Sequence, residues 1–208
     1  MRSVLWMLAF GAPLLAEPRI VYSKVFPGSV PPWVQIAFER DGKAVYKESP
    51  DDEQPLKFAL DKESADKIYA LADKLERFKT PLESGLKVAN MGMKTFRWEE
   101  GGESREVKFN YSQDETARQL LDWFEKMTES EQLLISVERS VRYDKLGANK
   151  ALLQLQAAME KGRLVGGAQF LPMLDRVIKN DSFLNMARDR ASALAEAIRN
   201  PVPKGAQQ

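Results

Sequence analysis

The chain contains no histidine and no cysteine in its 208 residues, and each absence closes a branch of chemistry. Without imidazole there is no Ser-His-Asp triad and no histidine metal ligand. Without thiol there is no cysteine nucleophile, zinc finger, iron–sulfur cluster or disulfide. An excess of one charge is also missing, because 31 Lys+Arg stand against 30 Asp+Glu for a formal net charge of +1. A protein that tracks phosphates concentrates uncompensated Lys and Arg on one face, so no nucleic-acid partner is expected. Neither a cofactor nor a metal is expected. The groups left for chemistry are carboxylates, Lys, Tyr, Ser, Arg and backbone amides.

What is present is an ordinary globular composition, 44% hydrophobic and 29% charged. Residues 1–16 place Arg2 before an apolar run over 4–15, broken by Gly11 and Pro13, and end on Ala16. That order is signal-peptide architecture, and it predicts an exported protein, periplasmic or extracellular. The run is shorter than the roughly 20 residues of a membrane span, so no stable span is expected after cleavage. Loss of Arg2 would leave 30 basic and 30 acidic groups. An exported domain without disulfides must be held by its apolar core alone.

After Pro18 the pattern has period two. Residues 19–26 read as a strand. Val34, Ile36 and Phe38 alternate with Trp33, Gln35 and Ala37, and Asp41-Gly42 supplies a tight turn before a return strand at 44–48. A two-residue loop there pairs Phe38 with Val45 and Ala37 with Tyr46, which puts Trp33 and Tyr46 on one face. Leu56, Phe58 and Leu60 mark a further strand. A second hairpin over 94–111 turns at Gly101-Gly102, gathers Phe96, Trp98, Val107 and Phe109 on one side, and sets Arg97 opposite Glu106 on the other.

The remaining periodicity is helical. Asp61 caps a helix over 62–78 with Ala65, Ile68, Ala72 and Leu75 on its apolar face. Ser112 with Glu115, and Thr128 with Glu131, have capping-box spacing and predict helices over 113–127 and 129–146. Gly147 and Gly162 read as stops around a helix over 149–161. Further helices are expected over 167–179 and, capped by Asp181, over 182–199. The class is α+β: an antiparallel sheet built from hairpins with packed helices over 17–127, then an all-helical subdomain over 128–200, then a disordered tail over 201–208.

Gly28, Pro31, Trp33, Ile36, Asp41, Gly42, Val45 and Tyr46 lie in the segments Pro-Gly-Ser-Val-Pro-Pro-Trp and Asp-Gly-Lys-Ala-Val-Tyr. These resemble the first hairpin of a family of uncharacterised bacterial exported domains, in which an aromatic-Gly-x-Cys-Pro segment precedes a strand and an Asp-Gly turn. The resemblance covers residues 18–80. Val30 stands at the family's cysteine and Pro27 at its aromatic. It implies export and an α+β fold, and no activity.

The connection over 79–93 is long for an ordered loop, and loops of that length often carry function. Its Glu83, Ser84, Lys87 and Asn90 either bind a polar ligand or satisfy the loop's own backbone. Ser84 and Lys87 have the Ser-x-x-Lys spacing of penicillin-binding enzymes, but Phe96 stands where the companion Lys-Thr-Gly needs glycine. Acids cluster at Asp51, Asp52 and Glu53 and at Glu99, Glu100 and Glu103, in turns where carboxylates are normally solvated. Trp33 and Tyr46 offer an aromatic platform for a peptide or sugar ring, or else a buried contact. The expected function is an exported, non-enzymatic binding or assembly module with a protein or polymer partner. The alternative is a carboxylate-dependent hydrolase of an extracytoplasmic polymer, which needs two facing carboxylates in a cleft.

Overall fold

The computed structural model describes residues 17–201; residues 1–16, expected from sequence to be a signal peptide, and residues 202–208 of the expected disordered tail lie outside them. Six antiparallel strands form one sheet: β1 (Arg19–Val25), β2 (Trp33–Glu39), β3 (Lys43–Lys47), β4 (Leu56–Ala59), β5 (Met93–Glu100) and β6 (Glu103–Phe109). Their order is β4-β3-β2-β1-β5-β6. Five α-helices accompany them: α1 (Lys62–Lys74), α2 (Glu115–Tyr143), α3 (Ala148–Glu160), α4 (Leu171–Ile178) and α5 (Asn185–Arg199). The α+β class and the helical C-terminal part are as the sequence predicts. Among the described residues no helix is long and apolar enough to cross a membrane.

The sheet follows from alternation. Ile20, Tyr22, Ile36, Phe38, Tyr46, Phe96, Trp98 and Phe109 all point to one face and are buried there with Ile68 and Ala72 of α1 and Leu120 and Phe124 of α2. Phe96 sits at the centre, its ring 5.2 Å from Phe109, 5.3 Å from Phe78 and 5.8 Å from both Tyr22 and Phe124. Such pairs each contribute about 1 kcal/mol beyond their buried area.

The second hairpin has the expected register, with Arg97 opposite Glu106, because Gly101 and Gly102 both adopt positive φ as a two-residue primed turn requires. The first hairpin does not. Ile36 pairs with Tyr46 and Ala37 with Val45. The amide of Gly42 bonds to the carbonyl of Glu39 at 3.0 Å and Gly42 has φ +92°, so the loop has three residues, a turn closed by a left-handed glycine. A one-residue shift moves every side chain of one strand to the other face. Tyr46 is therefore buried beneath the helices, while Trp33 faces the opposite side of the sheet.

The helices differ from expectation at their ends. Residues 113–146 do not form two helices: α2 is continuous for 29 residues, about 40 Å. Asp114 caps it by accepting from the Ala117 amide, and Ser112 Oγ instead accepts from the Asp114 amide. Thr128 donates its hydroxyl back to the Phe124 carbonyl at 2.8 Å, and the carboxylate of Glu131 turns inward, so neither caps anything. Helix α1 keeps its Asp61 cap but ends at Lys74, after which Glu76, Arg77 and Phe78 run left-handed. Gly147 opens α3 rather than closing α2, whereas Gly162 closes α3, its amide donating to the Met159 carbonyl and the Arg163 amide to that of Ala158. The segment 167–179 divides into a 3-10 turn, Gly167–Phe170, and α4. Asp181 is no cap; it pairs with Arg188, and α5 begins four residues later.

Helix α2 contributes to two cores. Its N-terminal half packs on the sheet, and Leu134, Val137 and Val141 pack with α3, α4 and α5 around Phe170 and Leu174. Polar groups mark the joint. Ser130 Oγ accepts from the Val165 amide at 3.0 Å, Arg163 binds Glu129 and Asp122, and Glu131 accepts from Gln169 Nε2 at 2.6 Å. Glu131 is fully buried, and burial pushes its carboxyl up to about 7, against which the Gln169 bond acts only partly. Glu131 Oε2 and Gln169 Oε1 both lack a partner. A proton on Glu131 supplies a donor to that pair of acceptors.

Candidate functional site

Two strand patterns break at the same end of the covered face. In β1 the inward positions Ile20 and Tyr22 are followed by Lys24, and in β5 the inward positions Phe96 and Trp98 are preceded by Lys94. The register sets Lys24 directly opposite Lys94, with Phe109 on the far side of Lys94. Like charges placed opposite one another weaken a strand pair, so nothing in sheet energetics selects this arrangement.

Lys94 is 3% exposed, and its ammonium donates to the backbone carbonyl of Asn110 at 2.7 Å. Burial first, and then the neighbouring charge of Lys24, hold its pKa below the ordinary lysine value. Lys24 lies 3.7 Å from Glu125 of α2. Among the described residues Lys94 has no carboxylate within ion-pair distance.

Lys24 and Lys94 line a cavity of about 650 Å³ between the sheet end, the 79–93 connection and α2. Phe26, Met91, Phe109 and Leu121 give it apolar walls, and Asn90, Ser112 and Arg118 add polar groups. A smaller cavity of about 310 Å³, beside Pro31, Pro32 and Gln132, shares Lys24, Phe26 and Glu125 with it. The Lys24–Glu125 pair thus lines both recesses.

Asn110 holds the wall in place. Its amide donates to Glu83 Oε2 at 2.6 Å, its side-chain oxygen accepts from the Met91 amide at 2.8 Å, its side-chain nitrogen donates to the Ala89 carbonyl at 3.0 Å, and its own carbonyl accepts from Lys94. One residue after β6 therefore fixes the 79–93 connection and the buried ammonium together.

The sequence-derived candidates fall unevenly around this site. Glu83 is spent on the Asn110 amide, whose bond holds its carboxyl below the usual range. Ser84 Oγ accepts from the Leu86 amide, and Asn90 Oδ1 accepts from the Gly92 amide while Asn90 also lines the cavity. Lys87 is exposed on the same connection. Trp33 and Tyr46 form no joint platform: Tyr46 is buried and donates to Glu48 at 2.9 Å, and Trp33 lies on the uncovered face next to Val25 and Met93. The acids at the second hairpin tip are ion-paired, Glu99 with Arg19 and Arg97, Glu100 with Arg77 and Glu103 with Arg105. Among the described residues no group of acids is arranged to hold a metal.

Lys24, Lys94, Asn110, Arg118 and Glu125 were not singled out from sequence. The signal was present in phase: a lysine two residues from inward aromatics belongs to the apolar face. No family model, curated protein or solved structure matches this chain.

Proposed function

We propose that this chain is an exported binding protein for a small organic anion, received with its carboxylate between Lys24 and Lys94 and its apolar body against Phe26, Met91, Phe109 and Leu121. The observation that carries this reading is a buried ammonium without a carboxylate partner at the wall of an open cavity. An unpaired buried charge costs several kcal/mol, and a ligand carboxylate offsets that cost. The cavity volume is in the range of small-molecule sites, and mostly apolar walls with a few polar groups are their usual lining.

Binding is favoured over hydrolysis by the state of the nearby carboxylates. Glu125 is engaged by Lys24, and Asp122 by Lys126 and Arg163. Burial acts to raise the Asp122 carboxyl, yet the bonds from Lys126 and Arg163 outweigh it and hold the group low. A general acid for glycoside cleavage needs the opposite shift.

Thermal-shift and calorimetric titration with short-chain carboxylates tests the reading. Butyrate or benzoate stabilises the wild type in a concentration-dependent way, and the uncharged amides of the same acids do not. Equal effects of acid and amide, or none from either, would overturn it. Export rests on residues 1–16 and is tested by fractionation with N-terminal sequencing, where an intact Met1 on a cytoplasmic protein speaks against it.

A further inference from the structure

We infer that the ligands of this site include 2-oxo acids, and that Lys94 binds them covalently and reversibly as an imine while Lys24 receives their carboxylate. The inference rests on the proposed anion site and adds a bond to it. Four features of the geometry support it. Lys94 is the more buried of the two lysines and donates to a neutral backbone carbonyl, not to a carboxylate that would hold it as an ammonium. Lys24 stands directly across from it, and a second cation beside a desolvated lysine favours the neutral, nucleophilic amine. Opposed side chains on paired strands begin about 5 Å apart, a spacing suited to a ligand whose carboxylate and carbonyl are on adjacent carbons. Phe109 and Leu121 line the cavity beside Lys94 and give the ligand's carbon chain an apolar wall.

The step balances without an oxidant or reductant. Lys94 gives its ammonium proton to solvent. Its Nζ lone pair attacks the carbonyl carbon, the carbon–oxygen π bond breaks, and one proton passes from Nζ to that oxygen to give a carbinolamine. That hydroxyl takes back from solvent the proton first released and leaves as water, while the Nζ lone pair forms the Nζ=C bond of a protonated imine. The charged groups facing Lys94 are Lys24 on β1, Glu125 on α2 and Glu83 on the 79–93 connection. Lys24 favours loss of the proton and the two carboxylates oppose it.

The test is reductive trapping on the full chain. Protein is incubated with pyruvate and sodium cyanoborohydride, then analysed by intact mass and peptide mapping. One carboxyethyl group is expected, on Lys94, at least about tenfold ahead of any single exposed lysine such as Lys62 or Lys87, as an activated amine requires. Lys94→Arg removes the nucleophile, so it loses trapping. Because the decisive map is made on the wild type, the inference does not depend on that variant folding. Labelling spread evenly over exposed lysines with Lys94 unmodified overturns it. If butyrate still binds in that case, only the covalent step fails; if butyrate does not bind either, the anion site fails with it.

Discussion

Lys24 and Lys94 face each other across two neighbouring strands on the side of the sheet that the helices cover. Lys24 on β1, Glu83 on the 79–93 connection, Lys94 on β5 and Glu125 on α2 come from four segments of the chain, so the arrangement exists only in the folded chain. Its energetic signature is a set of local costs.

Lys94→Met removes a buried charge and keeps an unbranched side chain. Stability should be unchanged or raised by about 1 kcal/mol, since replacing a buried ion by a well-packed apolar group is often neutral or favourable. The wild type carries a matching pH dependence. The folded pKa of Lys94 lies below its unfolded value, so the unfolded state binds more protons between the two and stability rises with pH across that window. Urea titrations from neutral to alkaline pH should show that rise in the wild type and a smaller one in the variant.

Glu131 predicts the reverse slope. Its carboxyl is raised from 4.5 to about 7 in the folded chain, so its contribution is fully present below about 4.5 and is lost as pH rises through about 7. The loss is on the order of 3 kcal/mol by linkage. Glu131→Gln reproduces the neutral donor and should flatten the profile between pH 5 and 8, with the larger gain at pH 8. A variant that is equally destabilised at both pH values would contradict the assignment of a buried neutral acid.

Asn110→Ala removes two side-chain bonds that hold the 79–93 connection. A cost of about 1–2 kcal/mol is expected. Hydrogen exchange should speed up at Met91 and its neighbours while the α2 amides stay protected, and carboxylate affinity should fall because the cavity wall is released.

Gly42→Ala and Gly102→Ala separate strain from collision. Both positions have positive φ, but a Cβ at Gly42 runs into the Leu60 carbonyl oxygen, whereas one at Gly102 meets nothing within 4 Å. The first should cost about 2 kcal/mol or more and the second about 1 kcal/mol. Chemical denaturation of the two variants side by side gives the comparison.

Much of the sheet was legible in the sequence because strand alternation and a Gly-Gly primed turn are local signals. The second hairpin needed nothing else. The first was misregistered because Asp-Gly also closes three-residue loops, and the choice is made by the contact of Gly42 with Leu60, eighteen residues on. Thr128 and Glu131 have the spacing of a cap, yet the apolar series Leu120, Phe124, Met127 and Leu134 continues through them, and tertiary packing prevails over the local motif. The site was harder to see. Lysines are usually solvated, and only their phase relative to Tyr22 and Phe96 marks these two as inward. The role of Asn110 rests on partners sixteen and more residues away, which no local pattern encodes.

The undivided α2 has a consequence for how such a protein can be inherited. A single helix supplies wall to both cores, and the polar joint at Ser130 and Glu131 is matched to the segment 163–169. Recombination near residue 127 would therefore cut through shared scaffold and leave each fragment with an unroofed core. The sheet with its lysine pocket and the helical part that follows can change by substitution, but they can be passed on only together.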